Sequence, residues 1–253
     1  YKMDNYIKHL HEYTSYYIYD FKNNDSGGIG DFFKFFMKLL KLAIEHEKKI
    51  YILKNDTYLE TYIKLKYNWY ISKQDIENLQ EYEIYKPHQL YSTRTPKTNA
   101  EIKLSDIFYF TEIVKYNSQK ISPFNITNYI SIHARLGDHF LETDREFVPC
   151  TWDKRKLKES NLYNFLNTNK DKNILFFCDN QNYKNKIKHS FPFINITNAN
   201  IGHTSLKNTN EIQTLDAISE FYLLTKSNEI NSASYSGFSK MAALFGNIKW
   251  SRI

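Results

Sequence analysis

Cysteine is nearly absent: the 253-residue chain has two, Cys150 and Cys178. Two thiols cannot build the disulfide framework of a small secreted domain, and their spacing fits no zinc site. No apolar run approaches the ~20 residues of a membrane-spanning helix. No signal-peptide pattern stands at the start, so the expected setting is reducing and cytoplasmic. A dense basic run is lacking too. The net charge is +6, but the lysines are scattered along the chain as a solvated surface, which argues against a nucleic-acid-binding arm. Glycine and alanine are scarce.

Against these absences stand 42% hydrophobic residues, enough for a sizeable core, and 17% aromatics, with 21 Tyr and 18 Phe. The length suits one large domain or two small ones. Abundant Lys, Asn and Ile match the codon bias of an AT-rich genome. In such a composition the Asn-Ile-Thr triplets at Asn125 and Asn195 arise by chance. The chain opens at Tyr1 with Met3 close behind, as a domain cut from a longer protein would.

Strand and helix patterns alternate. Residues 16–21 read as a strand, 22–30 as a loop, 31–49 as a helix and 50–54 as a second strand, the opening unit of a parallel α/β sheet. Residues 55–120 are rich in Tyr and Lys and have weak periodicity. The second half predicts strands at 129–134, 172–179, 193–197 and 229–234, with helices at 152–166, 182–191, 210–227 and 236–246. The polar stretch "SPFNITN" at 122–128 marks the expected division into an N-terminal domain, 1–126, and a C-terminal domain, 127–253.

Three loops, each following a predicted strand, are the candidates for chemistry, because open α/β sheets place ligands there. In "DSGGIGDF" (25–32), Gly28 and Gly30 permit a tight turn before a helix whose first amides suit an anion. They fit the first two positions of a dinucleotide fingerprint, but Phe33 takes the third, and no Gly-Lys-Ser/Thr follows. In "HARLGD" (133–138), strand alternation puts His133 and Arg135 on one face. An arginine there can pair with a phosphate or carboxylate in bidentate fashion, and Asp138 can orient it or cap the turn. In "SASYSGFSKMAA" (232–243), Ser236 or Gly237 caps a helix with Phe238 and Ser239 in its first turn, a second anion seat. The bland readings are a tight turn, a surface ion pair and ordinary N-capping.

Taken together, the three resemble the GDP-fucose-dependent fucosyltransferase superfamily, which spans the α1,2-, α1,6- and protein O-fucosyltransferases. "HARLGD" looks like its His-x-Arg-x-Gly/Thr-Asp motif. Residues 214–246 are similar to its C-terminal region, and "SGGIGD" is similar to its N-terminal Gly-x-x-Gly-Asn/Asp loop. These motifs cover about a quarter of the chain and fall in the family's order.

The resemblance implies a GT-B fold, two Rossmann-like α/β domains with mostly parallel sheets facing a cleft. It implies a metal-independent, inverting transferase that uses no cofactor beyond its nucleotide-sugar donor, GDP-fucose, with a glycan as acceptor. Arg135 matches the diphosphate-binding arginine and His133 the residue that contacts the nucleoside. Asp179 is placed like the acid that reads guanine N1 and N2. Ser236, Phe238 and Ser239 fall where the phosphates are held, and Asp31 falls at the Asn/Asp of the N-terminal loop. The base for the acceptor hydroxyl is open between Asp31 and Glu142, with Asp144 and Glu146 as substitutes. Glu142 lies nine residues beyond the motif histidine, where some members have a glutamate about ten beyond. Two alternatives stand: another 6-deoxyhexose donor such as rhamnose, and a non-catalytic module that binds a nucleotide-sugar or glycan.

Overall fold

A computed structural model of the chain describes residues 3–22, 26–98, 100–123, 127–137, 140–141, 155–203, 206 and 209–253. In chain order the strands are β1 (Ser15–Tyr19), β2 (Lys49–Leu53), β3 (Ile63–Leu65), β4 (Tyr70–Ile71), β5 (Glu81–Tyr85), β6 (Phe108–Phe110), β7 (Ile130–Ala134), β8 (Ile174–Cys178), β9 (Asn195–Ile196), β10 (Glu229–Ser232) and β11 (Lys249–Arg252). The α-helices are α1 (Met3–His9), α2 (Ile29–Glu45), α3 (Tyr58–Tyr62), α4 (Lys73–Ile76), α5 (Pro87–Ser92), α6 (Leu104–Ile107), α7 (Glu112–Ile121), α8 (Glu159–Thr168), α9 (Gln181–Ser190), α10 (Glu211–Leu224) and α11 (Gly237–Gly246).

Two parallel sheets organise them. One has the order β4-β2-β1-β5, the other β11-β10-β7-β8-β9, and a small antiparallel pair joins β3 to β6. In the five-stranded sheet His133 is in register with Phe177 on one side and Ser232 on the other. Every residue of β7 and of β8 is buried, as central strands covered on both faces require. That sheet is built from residues after 127, and the four-stranded sheet from residues before 86.

The helix α2 joins the two sheets. Phe33, the residue standing where a dinucleotide fingerprint has glycine, is fully buried. Its ring stacks on Phe221 of α10 at 5.3 Å and meets Phe108 and Phe245 edge-on. A glycine there would remove a core anchor, which costs several kcal/mol for a buried aromatic (about 3–5). The departure from the fingerprint is therefore a packing requirement.

Residues 55–120, unreadable by periodicity, hold the short elements β3 to β6 and α3 to α7, none longer than 10 residues. The helix expected from 152 begins at Glu159, and residues 152–154 of it lie outside the described residues. The sequence reading also missed β11, which pairs in parallel with β10 along the sheet edge. Among the described residues no helix is long and apolar enough to cross a membrane.

Candidate functional site

A cavity of about 250 Å³ opens where strands of both sheets end. Its walls come from five places: the residues after β1 (Gly28 to Asp31), the ends of β7 and β8 (His133, Arg135, Cys178, Asp179), Arg155, the segment leading into α10 with that helix itself (Ile201 to His203, then Ala217 and Glu220), and the start of α11 (Tyr235 to Phe238). Three loops distant in sequence thus meet at one space, where parallel α/β sheets place their ligands.

Arg135 is fixed from both directions. Its guanidinium Nη1 lies 2.8 Å from Asp179 Oδ2, with both side chains largely buried. Its backbone amide donates to Ser234 Oγ at 2.7 Å. The Asp179 carboxylate accepts in addition from the amides of Leu136 (2.7 Å) and Gly137 (3.2 Å). Gly137 has a φ of 118°, which only glycine adopts without strain, so the turn after β7 can fold back onto Asp179. Asp179 therefore shapes the arginine and its turn. The carboxylate expected to read guanine thus also serves Arg135 and two amides.

His133 is buried, and its ring stacks on Phe238 at 5.5 Å. Its Nδ1 is buried without a hydrogen-bond partner among the described residues. Burial lowers its pKa to about 4; Asp179 opposes the shift and Arg135 adds to it. The imidazole is neutral at pH 7 and lines the cavity.

Two helix starts converge. A Cβ placed on Gly30 in the first turn of α2 would stand 2.7 Å from Gly237 C and from Phe238 N, in the first turn of α11. Only glycine at 30 lets these backbones approach. The N-cap of α11, Ser236, makes no side-chain cap, whereas Asn180 and Asn210 cap α9 and α10. A Cβ on Gly237 would meet nothing within 4 Å, so this residue faces open cavity. Both helix dipoles place positive potential there.

Asp31 sits in the first turn of α2 on the cavity wall. Burial raises its pKa, against the charge of Lys34 and a hydrogen bond from the Gly28 amide. The opposite wall places His203 beside Gly28: a Cβ on Gly28 would stand 2.8 Å from its Nε2. Deeper, Glu220 accepts from Lys184 Nζ at 3.2 Å and from the Thr197 hydroxyl.

Of the residues singled out from the sequence, Gly28, Gly30, Asp31, His133, Arg135, Asp179, Ser236, Gly237 and Phe238 line this cavity. Ser239 does not. It is fully buried on the far side of α11, where its hydroxyl meets Ser232 Oγ and receives a hydrogen bond from Trp250 Nε1, both at 3.2 Å. One helical step turns it from the anion seat into the sheet. Asp138, Glu142, Asp144 and Glu146 lie outside the described residues. Sequence reasoning missed Arg155, His203 and Glu220. Arg155 was hidden by the basic string "KRKLK" inside an expected helix, His203 stands in a loop without a motif, and Glu220 sits within the expected helix at 210–227, where nothing in the pattern set it apart from its neighbours.

No family model and no curated protein matches the sequence. Solved structures do match. A crystal structure of NodZ α1,6-fucosyltransferase soaked with GDP-fucose superposes with a TM-score of 0.54 at 10% identity, covering 91% of this chain and 92% of that one. A second crystal structure of the same enzyme, co-crystallised with GDP, gives 0.54 at 11% identity over the same shares. The chain has a GT-B-like fold, shared with these structures over 91% of its length. In this GT-B arrangement the cavity lies between the two parallel sheets, with Arg135 and the start of α11 on the side of the C-terminal sheet and Asp31 on the side of the N-terminal one.

Proposed function

We propose that the chain is an inverting, metal-independent glycosyltransferase that moves L-fucose from GDP-fucose to a hydroxyl of a glycan. Residues 127–253 form the nucleotide-sugar side and residues 1–126 the acceptor side. The observation that carries this reading is the Arg135–Asp179 pair beside the start of α11, which has no side-chain cap, with the His133 Nδ1, buried and without a partner among the described residues, on the same cavity. A fold matched to GDP- and GDP-fucose-containing structures supports it.

The chemistry follows from the charges. The acceptor oxygen attacks the anomeric carbon from the face opposite the diphosphate. The bond from that carbon to the β-phosphate oxygen breaks, its electron pair leaves on GDP, and the acceptor proton passes to a base. Arg135 and the amides of Gly237 and Phe238 meet the charge on the leaving diphosphate, which places positive potential where it develops. His133, neutral and stacked on Phe238, offers Nδ1 to the nucleoside. Asp31, with its pKa raised by burial, is the base on the acceptor side.

The test is a donor screen with product detection, using GDP-fucose, GDP-mannose and UDP- and dTDP-sugars, with and without EDTA. Turnover of GDP-fucose that survives EDTA is the expected result. Turnover of another donor alone would replace the sugar in this reading, and a strict metal requirement would remove the charge scheme. GDP binding without turnover for any acceptor would make the chain a binding module.

A further inference from the structure

We propose that Arg155 is a second ligand of the donor diphosphate, presented to the cavity by a stitch between three separate segments. This rests on the nucleotide-sugar reading above. Arg155 lines the same cavity as Arg135. Arg135 shares its charge with Asp179 and a diphosphate carries two or more negative charges, so a second guanidinium on this cavity adds to Arg135 and the α11 start.

The placement of Arg155 is built. Its carbonyl accepts from the Tyr235 amide at 2.7 Å, the residue directly before the N-cap of α11, which brings Arg155 beside that helix start. The chain then turns at Lys156, whose φ is 51°. The Lys156 carbonyl accepts from Arg252 Nη2 at 3.0 Å, at the end of β11. The guanidinium of Arg252 in turn covers the Tyr235 ring, 3.4 Å from its centroid. Residues 155–156, Tyr235 and Arg252 thereby hold one another. Arg252 is a positioning residue: it faces Tyr235 and acts on the ligand through Arg155.

Calorimetric titration of the full chain with GDP, UDP and guanosine tests this. Arg155→Ala is expected to weaken every nucleoside diphosphate that the wild type binds by about 10- to 100-fold, the range of a hydrogen bond to a charged group. Guanosine, which has no phosphate, is expected to change by less than about twofold, and Arg155→Lys to recover part of the loss because it keeps the charge but not the fork. Arg252→Ala should weaken GDP about threefold alone and add nothing in the Arg155→Ala background, the non-additivity of a residue acting through another. Arg155 is a surface-accessible loop residue, and circular dichroism of both Arg155 variants checks that the fold is kept. A GDP affinity for Arg155→Ala within twofold of wild type, or an equal loss for guanosine, overturns the proposal while the functional reading stands. A wild type that binds no nucleoside diphosphate overturns both.

Discussion

Arg135 and Asp179 form a buried pair, Nη1 to Oδ2 at 2.8 Å, in which the carboxylate also gathers the Leu136 and Gly137 amides. Asp179→Asn leaves the arginine charge buried without its partner and replaces one accepting oxygen by a donor. Breaking such a pair costs about 3–5 kcal/mol when fully buried. The expected outcome is a loss near the lower end in urea unfolding, together with a GDP affinity at least about tenfold weaker. Unchanged stability and affinity would mean that Asp179 does not hold Arg135.

Gly30 and Gly237 make a contrasting pair. Gly30→Ala drives a Cβ into backbone atoms of α11 at 2.7 Å, so the two helix starts must separate. Overpacking of this kind costs about 1–3 kcal/mol, and thermal unfolding should show it. Gly237→Ala meets nothing within 4 Å and should leave the unfolding temperature unchanged or slightly raised. It places a methyl group in the proposed phosphate seat, so its GDP affinity should fall. If both variants change stability alone, α11 does not hold the ligand.

His133 ties stability to pH. Its folded pKa of about 4 lies below the ordinary 6.5, so the unfolded chain binds the proton first as pH falls. The stability held by the neutral ring is full above about pH 6.5 and is lost progressively down to about pH 4, by roughly 3 kcal/mol at most. Urea unfolding of wild type and His133→Gln at pH 7.5 and 5 should show a steeper decline in the wild type. Parallel pH dependence of the two would place the titration elsewhere.

Substitution of Asp31 is expected to separate catalysis from donor binding. Asp31→Asn removes the proposed base but keeps a side chain of the same size in the first turn of α2. Turnover of GDP-fucose should fall by about 100-fold or more, within the usual contribution of a general base, while GDP affinity stays within a few fold. Wild-type turnover should lose activity on the acid side as Asp31 protonates, with that limb shifted upward from an ordinary aspartate's because burial raises its pKa. A variant with full activity would move the base to another residue.

The second half was readable because three of its strands, β7, β8 and β10, are central. Unbroken apolar runs such as "ILFFC" can only be covered on both faces, and the loops after them carry their own turn chemistry. Arg135, His133 and the α11 start were legible because strand alternation and helix capping act locally. Ser239 was misplaced because a first-turn hydroxyl points to the cavity or to the sheet according to helix rotation, which the packing of Trp250 and Ser232 decides. Residues 55–120 resisted because their elements are short and are held by contacts from far along the chain, such as Tyr62 to Glu211 at 2.7 Å. Arg155 became visible only through Tyr235 and Arg252, partners at least 80 residues away.

The central claim is that this cavity seats a nucleotide diphosphate on Arg135. Calorimetric titration of GDP into the wild type and Arg135→Ala tests it most directly. The account predicts one site in the wild type and a loss of about 100-fold or more in the variant, since a bidentate arginine on phosphate is among the strongest polar contacts. GDP binding of equal strength in both proteins would contradict it.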